Sequence, residues 1–428
     1  MKSKLIPVVT AFLLALVAAP AWAEEKLSAA GAKAIAQEGY VFGLPLIYTT
    51  LQADVLTAVP KPEGGRAPFN QFDHHREFPS AKNNKIVGKN VDTLYSFANL
   101  DVTNEPVVLV VPPMEGKRWW IMQLLDTWND LPAAPGSRTH GDKGGAFAIT
   151  GPNFKGTLPA GLEEVRCDTG ICTLGGRTYT AEPDDYATVH RIQDGYQLIP
   201  LSQWKGAGTH YTAPAEVSVK PGVDAKTPVP VQVFKLTAQQ YFGRLCELLL
   251  HNPAHEADAP IMAKLARLGV KPAAKFTMDA FDAETHKAIE EGVTAGKQAI
   301  RDGESKMGEM VNGWQLARDL GRYDTKYAYR ATWTFFAVGG NLVEDALYPL
   351  GLVRSGKILM QNHAILRNAL RKRNYELPSV SNDMQSSEVL RNSLGLNYKS
   401  AALSQLSDQR ISAINRLRLD TSSLQKME

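Results

Sequence analysis

Short apolar runs that alternate with polar residues fill much of the first half of the chain. Clusters of Pro, Gly, Asn and Asp separate these runs at the intervals that turns require. Such spacing is typical of an antiparallel sandwich and differs from a parallel sheet with crossover helices. The strands predicted in this way cover residues 94–100, 107–111, 119–125, 147–150, 172–179 and 197–201.

Helical patterns replace this alternation in the second half. Thr237 and Gln240 form a capping box, because the hydroxyl and the amide can each satisfy a free backbone group at the start of a helix over residues 241–250. A further helix is predicted to begin at Pro260, and residues 279–300 are amphipathic. The second half is therefore predicted to contain a helical domain.

The first residues match the pattern of a secretory signal peptide. Lys2 and Lys4 precede an uncharged apolar run over residues 5–19, and the small residues Ala21 and Ala23 come before the first acidic residue. A cationic start, a short apolar core and a small-x-small ending are the features of an export signal. We expect cleavage after Ala23 and a periplasmic or secreted protein.

A helix is also expected soon after this leader. Ser28 is a suitable N-cap for a helix that continues past Phe42. Pro45 is expected to break that helix, because proline has no backbone N–H to donate. Beyond the leader no apolar stretch is long enough for a transmembrane helix, so no permanent membrane anchor is expected.

These patterns predict an α+β protein built from several parts. After Phe336 the chain contains no Phe and no Trp, so a sheet core would be hard to fill there. The predicted parts are a signal peptide (1–23), an N-terminal helix with a β-sandwich domain (24–212), a Pro- and Val-rich linker (213–234), a helical domain (235–325), the start of a C-terminal domain (326–353) and a divergent tail, helical or poorly ordered (354–428).

Charge and cysteine content narrow the choice of partners and compartment. The net charge is only +3 and is spread along the chain, which argues against nucleic acid as a partner. Cys167 and Cys172 flank a turn-forming sequence between two strand-like runs, so we expect a hairpin disulfide in an oxidising compartment. Cys246 lies in an apolar helical stripe and is expected to be a buried thiol.

Polar residues on several predicted strands suggest a common site. Asn90 and Asp92 project to the same face of a strand, and Asp126 follows an alternating run from another strand. Two carboxylates in one cleft can act as general acid and base on a glycosidic or ester bond. The alternative is a buried Asp–Arg network that ties loops to the sandwich. The candidate residues are Asp92, Asp126 and His140 for catalysis, and Asn90, Tyr95, Trp128, Arg138 and Arg177 for ligand binding.

Other familiar chemistries are poorly supported. His251, His255, Glu256 and Asp258 are of the types that bind zinc, but Pro253 interrupts the helix that would align them, so a solvated loop is the expected reading. No G-x-S-x-G elbow and no P-loop are present. We predict neither a metal nor a cofactor.

Several stretches occur in one order over roughly residues 35–205 and resemble a bacterial tandem of domain-of-unknown-function families, 1254 (N-terminal) and 1214 (C-terminal). The resemblance implies an N-terminal immunoglobulin-like β-sandwich, a helical insert and a C-terminal jelly-roll-like domain, with no established reaction to transfer. A looser match covers residues 327–349; beyond it the pattern is lost, and our hypothesis is a change of reading frame near Val353 that leaves a remnant of the last domain. The matching stretches are residues 39–45 (GYVFGLP), 70–72 (NQF), 76–78 (REF), 90–96 (NVDTLYS), 122–126 (MQLLD), 136–139 (GSRT), 149–152 (ITGP) and 176–178 (GRT).

Two functions follow as expectations. The first is an exported cell-envelope protein that binds a small molecule or an envelope partner through the sandwich. The second is a periplasmic hydrolase that uses the carboxylates of Asp92 and Asp126, with His140 or Tyr95 assisting. The first is preferred because no complete catalytic set is present, and homo-oligomer formation is left open.

Overall fold

A computed structural model describes residues 27–78, 92–181, 183–311, 314–352 and 358–360. The predicted signal peptide, Asn90 and most of the predicted tail lie outside the described residues. The described part is a mixed α+β structure, so the predicted fold class is confirmed. Its α-helices are α1 (Ala29–Thr57), α2 (Ser137–His140), α3 (Tyr186–Asp194), α4 (Val229–Lys235), α5 (Ala238–Leu248), α6 (Ala259–Ala266), α7 (Ala283–Asp302) and α8 (Tyr327–Ala337).

The strands of the described residues form three four-stranded sheets. The first sheet has the order β1-β2-β7-β4, the second β6-β5-β3-β8, and the third β12-β11-β10-β9. The strands are β1 (Asp73–His74), β2 (Thr93–Asp101), β3 (Val107–Val111), β4 (Trp120–Asp126), β5 (Gly145–Thr150), β6 (Glu163–Arg166), β7 (Ile171–Tyr179), β8 (Gln197–Pro200), β9 (Glu309–Val311), β10 (Trp314–Ala317), β11 (Tyr348–Leu352) and β12 (Ile358–Met360).

Each of the six predicted strands is present within two residues of its expected bounds. The strand pairs are antiparallel with one exception, since β5 and β6 run parallel. A parallel neighbour needs a crossover of about a dozen residues, and the long connection over residues 151–162 supplies it. The prediction of a purely antiparallel arrangement is therefore wrong at this edge.

One hydrophobic core lies between the first and second sheets. Alternation along β2, β4 and β7 sends every second side chain into this core, because successive side chains of a strand point to opposite faces. Leu100, Trp120 and Leu174 from the first sheet meet Leu109 and Phe147 from the second. The other face of the first sheet is therefore left to pack against helices.

Helix α1 is continuous through Pro45, so the predicted break is wrong. Most of the helix is buried against other helices, and this packing outweighs the hydrogen bond that proline cannot make. Gly292 lets α7 approach α1 closely, since a Cβ at this position would lie 2.3 Å from the Lys33 carbonyl oxygen of α1. Helix α1 of the predicted first domain thus packs directly on α7 of the predicted helical domain.

The predicted capping residues are confirmed. The Ser28 hydroxyl accepts a hydrogen bond from the Gly31 N–H, and Thr237 and Gln240 form the reciprocal capping box of α5. The predicted linker contains most of helix α4. No helix in the described ranges has both the length and the apolar character needed to cross a bilayer.

Candidate functional site

A cavity of about 170 Å³ lies between the outer face of the first sheet and helices α1 and α8. Its floor consists of side chains from three adjacent strands, β2, β7 and β4, in direct cross-strand register. From one end to the other, the rows of this floor are Asn99–Thr173–Leu125, Phe97–Gly175–Gln123 and Tyr95–Arg177.

The centre of the floor is open because Gly175 has no side chain. A Cβ at this position would make ordinary van der Waals contact with Gln123 Oε1 at 3.5 Å and Phe97 Cε1 at 3.8 Å, so the floor has room for a methyl group there. Helix α1 contributes Gln52 to the opposite wall, and α8 contributes Trp333. The segment after α8 closes the cavity with Gly339, whose φ of 89° favours glycine.

Arg177 brings a permanent charge to one end of the cavity. The residue is 6% exposed, and its guanidinium carbon lies 5.2 Å from the centroid of the Tyr95 ring. It also donates a hydrogen bond to Tyr348 and lies in the field of Asp92. An arginine stays protonated at this depth, so the cavity contains a buried cation.

Gln123 occupies the middle row with a fixed amide orientation. Its Nε2 donates to the carbonyl oxygens of Gly339 (2.9 Å) and Gly340 (3.0 Å). Since only the nitrogen can donate, Oε1 must be the atom on the cavity side, 3.5 Å from the position of a Cβ on Gly175. Gln123 is 2% exposed, and its Oε1 accepts no hydrogen bond from the described residues.

Asp126 lies at the other end of the cavity, where β4 ends. Its Oδ1 accepts hydrogen bonds from the backbone N–H groups of Trp128 and Asp130, both 2.9 Å away, and so closes a tight turn. Its Oδ2 accepts from Nε2 of His255, 3.0 Å away. Asp126 therefore links the sheet to a loop of the helical region.

His255 and Asp130 belong to the same buried network. Burial alone would lower the pKa of His255, but the hydrogen bond and charge of Asp126 together with Asp130 raise it. Burial, reinforced by Asp126, raises the pKa of Asp130 to about 6, against the opposing charge of Arg330. The solvated loop predicted around His255 is in fact a partly buried polar contact.

Asp126, Asp130 and His255 have ligand atoms close enough together to hold a metal ion. The oxygens of Asp126 already accept three hydrogen bonds, however, and the Arg330 guanidinium donates to Asp130 at 3.2 Å. Arg330 is fully buried and also lies 5.3 Å from the Trp128 ring centroid. An ion-pair network thus accounts for the cluster without a metal.

The proposed carboxylate pair is not brought together. Asp126 pairs with Cys172 at one end of β7, whereas Asp92 directly precedes Thr93, which pairs with Tyr179 seven residues further along β7. Seven residues of strand span roughly 23 Å. Two carboxyl groups that share a glycosidic bond lie about 5–10 Å apart, so Asp92 and Asp126 do not form such a pair.

Three other candidates point away from the cavity. Arg138 makes two hydrogen bonds to Asp345, at 2.8 and 2.9 Å. His140 contacts Glu163 at 3.0 Å and packs on the side of the inter-sheet core. Trp128 is fully buried and donates from Nε1 to a backbone carbonyl. Of the candidates within the described residues, only Tyr95, Asp126 and Arg177 line the cavity.

Cys167 and Cys172 are both buried, and each is present as a free thiol. The disulfide predicted between them stays a prediction. They are hydrogen-bonded to each other, and this contact together with burial raises the pKa of Cys172. The expected burial of Cys246 is confirmed.

Gln123 and Gly175 were not recognised from the sequence. The sequence contained a signal for each residue. Gln123 is a polar residue within the apolar run of β4, and Gly175 is a residue without a side chain in the middle of β7. No local signal marks the contact between Asp126 and His255, which are 129 residues apart.

The described residues form a mixed α+β protein in which one sheet and two helices line a cavity of about 170 Å³. Residues 69–200 match the family described as "Protein of unknown function (DUF1254)", which supports the N-terminal part of the predicted resemblance. The C-terminal part, family 1214, stays a prediction.

Among solved structures, the chain is similar to the VPA0106 protein from Vibrio parahaemolyticus. The identity is 23%, the TM-score is 0.54, and the match covers 78% of this chain and 73% of that one, so the two share a fold. A putative uncharacterised protein from Burkholderia cenocepacia matches at 14% identity over 73% of this chain and 59% of its own. The TM-score of 0.26 is too low to show a shared fold. The comparison with curated proteins gives no match.

Proposed function

We propose that this is an exported binding protein that holds a small molecule between the first sheet and helices α1 and α8. The observation that carries the proposal is the buried Arg177 at one end of a partly open cavity. A charge is costly to bury, and a site that retains one next to open space is suited to an acceptor group on a ligand.

The cavity volume limits the ligand to a small one. An apolar cavity of about 150 Å³ holds a single benzene molecule in another protein. At about 170 Å³, this cavity suits one ring with short substituents. Larger ligands such as oligosaccharides would require the covering helices to move.

Hydrolysis by a carboxylate pair has weaker support. That alternative required Asp92 and Asp126 to act on one bond, and the strand register separates them by roughly 23 Å. His140, its proposed assistant, faces Glu163 away from the cavity. We therefore prefer binding to this form of catalysis.

Export is part of the same proposal. The cationic start, the apolar run over residues 5–19 and the small residues before residue 24 support a cleaved signal peptide. Cell fractionation and N-terminal sequencing test it: we expect a periplasmic or secreted protein that begins at Glu24. A protein that stays in the cytoplasm with Met1 intact would contradict export.

Export would also place Cys167 and Cys172 where a disulfide can form. Their hydrogen-bond contact makes oxidation feasible, and we propose that the exported form carries this bond. Mass spectrometry of alkylated, non-reduced protein should then find one alkylated cysteine, Cys246. We retain the immunoglobulin-like and jelly-roll-like topologies as proposals that an experimental structure of the whole chain would test.

Binding is tested by thermal-shift screening against small acids, sugars and lipids, followed by calorimetry. We expect a ligand whose affinity falls at least tenfold in Arg177→Gln. Arg166→Gln is the matched control, since Arg166 is an exposed arginine of the second sheet, paired with Asp168. Arg177→Lys retains the charge if Arg177→Gln does not fold. A ligand that binds both folded Arg177 variants as tightly as the wild type would overturn the site.

A further inference from the structure

We propose that the ligand is a small aromatic carboxylate that also carries a hydrogen-bond donor, such as a hydroxy- or amino-substituted benzoate; this inference rests on the proposed binding function. Arg177 receives the carboxylate and Gln123 receives the donor. The ring lies over β7 and reaches from the row of Gln123 and Gly175 to the row of Arg177.

The first argument is the acceptor on Gln123. Because Nε2 donates to both Gly339 and Gly340, the amide cannot flip to satisfy a different ligand. Its Oε1 is held towards the cavity and accepts no hydrogen bond from the described residues. This acceptor lines the cavity, so a ligand N–H or O–H can donate to it.

The second argument is the polarity of the cavity. Arg177 lies in the last row of the floor, and the Asp126 carboxylate lies beyond the first row. The Arg177 guanidinium, which also lies in the field of Asp92, offers N–H donors to an anionic group, whereas the Asp126 carboxylate, which accepts hydrogen bonds from His255 and the turn backbone, offers it none. The two ends therefore give the ligand a single orientation, with its anion towards Arg177.

The third argument is the shape of the floor. The absence of a side chain at Gly175 leaves a flat strip of backbone between Phe97 and Gln123. Trp333 lies among the residues that close the space. A planar ring fits this slot and meets aromatic neighbours, whereas a branched aliphatic acid of similar size does not. Rows of the floor are roughly 7 Å apart, which one ring spans between opposite substituents.

Gly175→Ala is the decisive variant. Its new methyl group meets no atom closer than 3.5 Å, so the protein should fold normally while the slot is filled. Gly243→Ala is the control, because a Cβ at Gly243 of helix α5 has no neighbour within 4 Å and lies away from the cavity.

The experiment is calorimetric titration of the purified full protein and both variants with 4-hydroxybenzoate, 4-aminobenzoate, 4-methylbenzoate and phenol. We expect the hydroxy and amino acids to bind at least tenfold more tightly than 4-methylbenzoate, which lacks the donor, and than phenol, which lacks the carboxylate. Gly175→Ala should weaken their binding at least tenfold, and Gly243→Ala should leave it unchanged.

Four outcomes would overturn the inference. Equal binding of 4-methylbenzoate and 4-hydroxybenzoate would remove the role of Gln123. Unchanged binding to Gly175→Ala would show that the ligand binds outside the proposed slot. If a ligand of another class binds and is lost in Gly175→Ala, the ligand class is wrong but the binding function stands. If no ligand in the wider screen responds to this variant, the proposed function fails as well.

Discussion

Arg177 and Tyr95 are direct cross-strand partners on β7 and β2, and the guanidinium carbon lies 5.2 Å from the ring centroid. The stack holds the arginine at the end of the cavity floor. The contact between Tyr95 and Arg177 therefore contributes both to the packing of the first sheet and to the proposed ligand site.

A double-mutant cycle measures this contact. We expect Tyr95→Leu and Arg177→Met to show a coupling free energy of about 0.5–2 kcal/mol in urea unfolding, because a partly desolvated cation on an aromatic face contributes that much. Tyr95→Leu combined with Arg166→Gln is the control, with a coupling near zero. Strict additivity of the Tyr95 and Arg177 substitutions would show that the stack contributes nothing.

Neighbouring glycines of β7 should respond differently to a methyl group. A Cβ at Gly176 would lie 2.8 Å from both Met122 Sδ and the Ser96 carbonyl oxygen, on the core side. We expect Gly176→Ala to lower the free energy of unfolding by about 1–3 kcal/mol. Gly175→Ala should change it by less than about 1 kcal/mol. Urea denaturation of both variants measures these changes. Equal losses of unfolding free energy would contradict the placement of Gly176 on the core face of β7 and of Gly175 on its cavity face.

The buried Arg330 should be required for stability. Arg330→Met leaves the Asp130 carboxylate without its guanidinium partner, and we expect a loss of about 3–5 kcal/mol. Adding Asp130→Asn removes the stranded charge and should recover part of that loss. Chemical denaturation of the single and double variants provides the measurement, and a double variant no more stable than Arg330→Met would count against the ion pair.

The network around His255 should make stability depend on pH. The pKa of Asp130 is raised from 3.8 to about 6, so its stabilising contribution is complete below pH 3.8 and is lost as the pH rises through about 6. The pKa of His255 is raised above 6.5, so its contribution is present below pH 6.5 and is lost as the pH rises through its folded-state pKa. Both groups weaken the folded state as the pH rises.

We therefore expect His255→Gln to destabilise the protein more at pH 5.5 than at pH 8.5. Asp126, Asp130, Asp258 and Arg330 are the charged groups that face this histidine. His286→Gln, on the exposed side of α7, is the control. Unfolding free energies at the two pH values provide the test, and a pH-independent difference would show that His255 does not titrate with folding.

Local patterns predicted the strands and helix starts well. Alternation located β2, β3, β4, β5, β7 and β8, and the caps at Ser28 and Thr237 are as expected. These signals lie within a few residues of each other, so they can be read from a single sequence. The break predicted at Pro45 failed because contacts with distant helices outweigh a local preference.

Of the seven candidate site residues that the structure describes, three were placed correctly in one site. Tyr95, Asp126 and Arg177 line one cavity, as their strand positions suggested. Asp92 and Asp126 do not meet, because strand register decides which ends of two strands coincide. His255 and Arg330 reach the Asp126 turn across more than a hundred residues of chain, and no periodicity encodes that contact.

By itself, the sequence determined which residues form strands and helices and which side of each strand is apolar, because these depend on neighbours along the chain. The tertiary structure alone decided which faces meet. It laid α1 and α8 over the outer face of the first sheet, left the space above Gly175 open and turned the Gln123 oxygen towards it. The physical reason is that a cavity is the space left by elements distant in sequence, so only their packing determines its position and its chemistry.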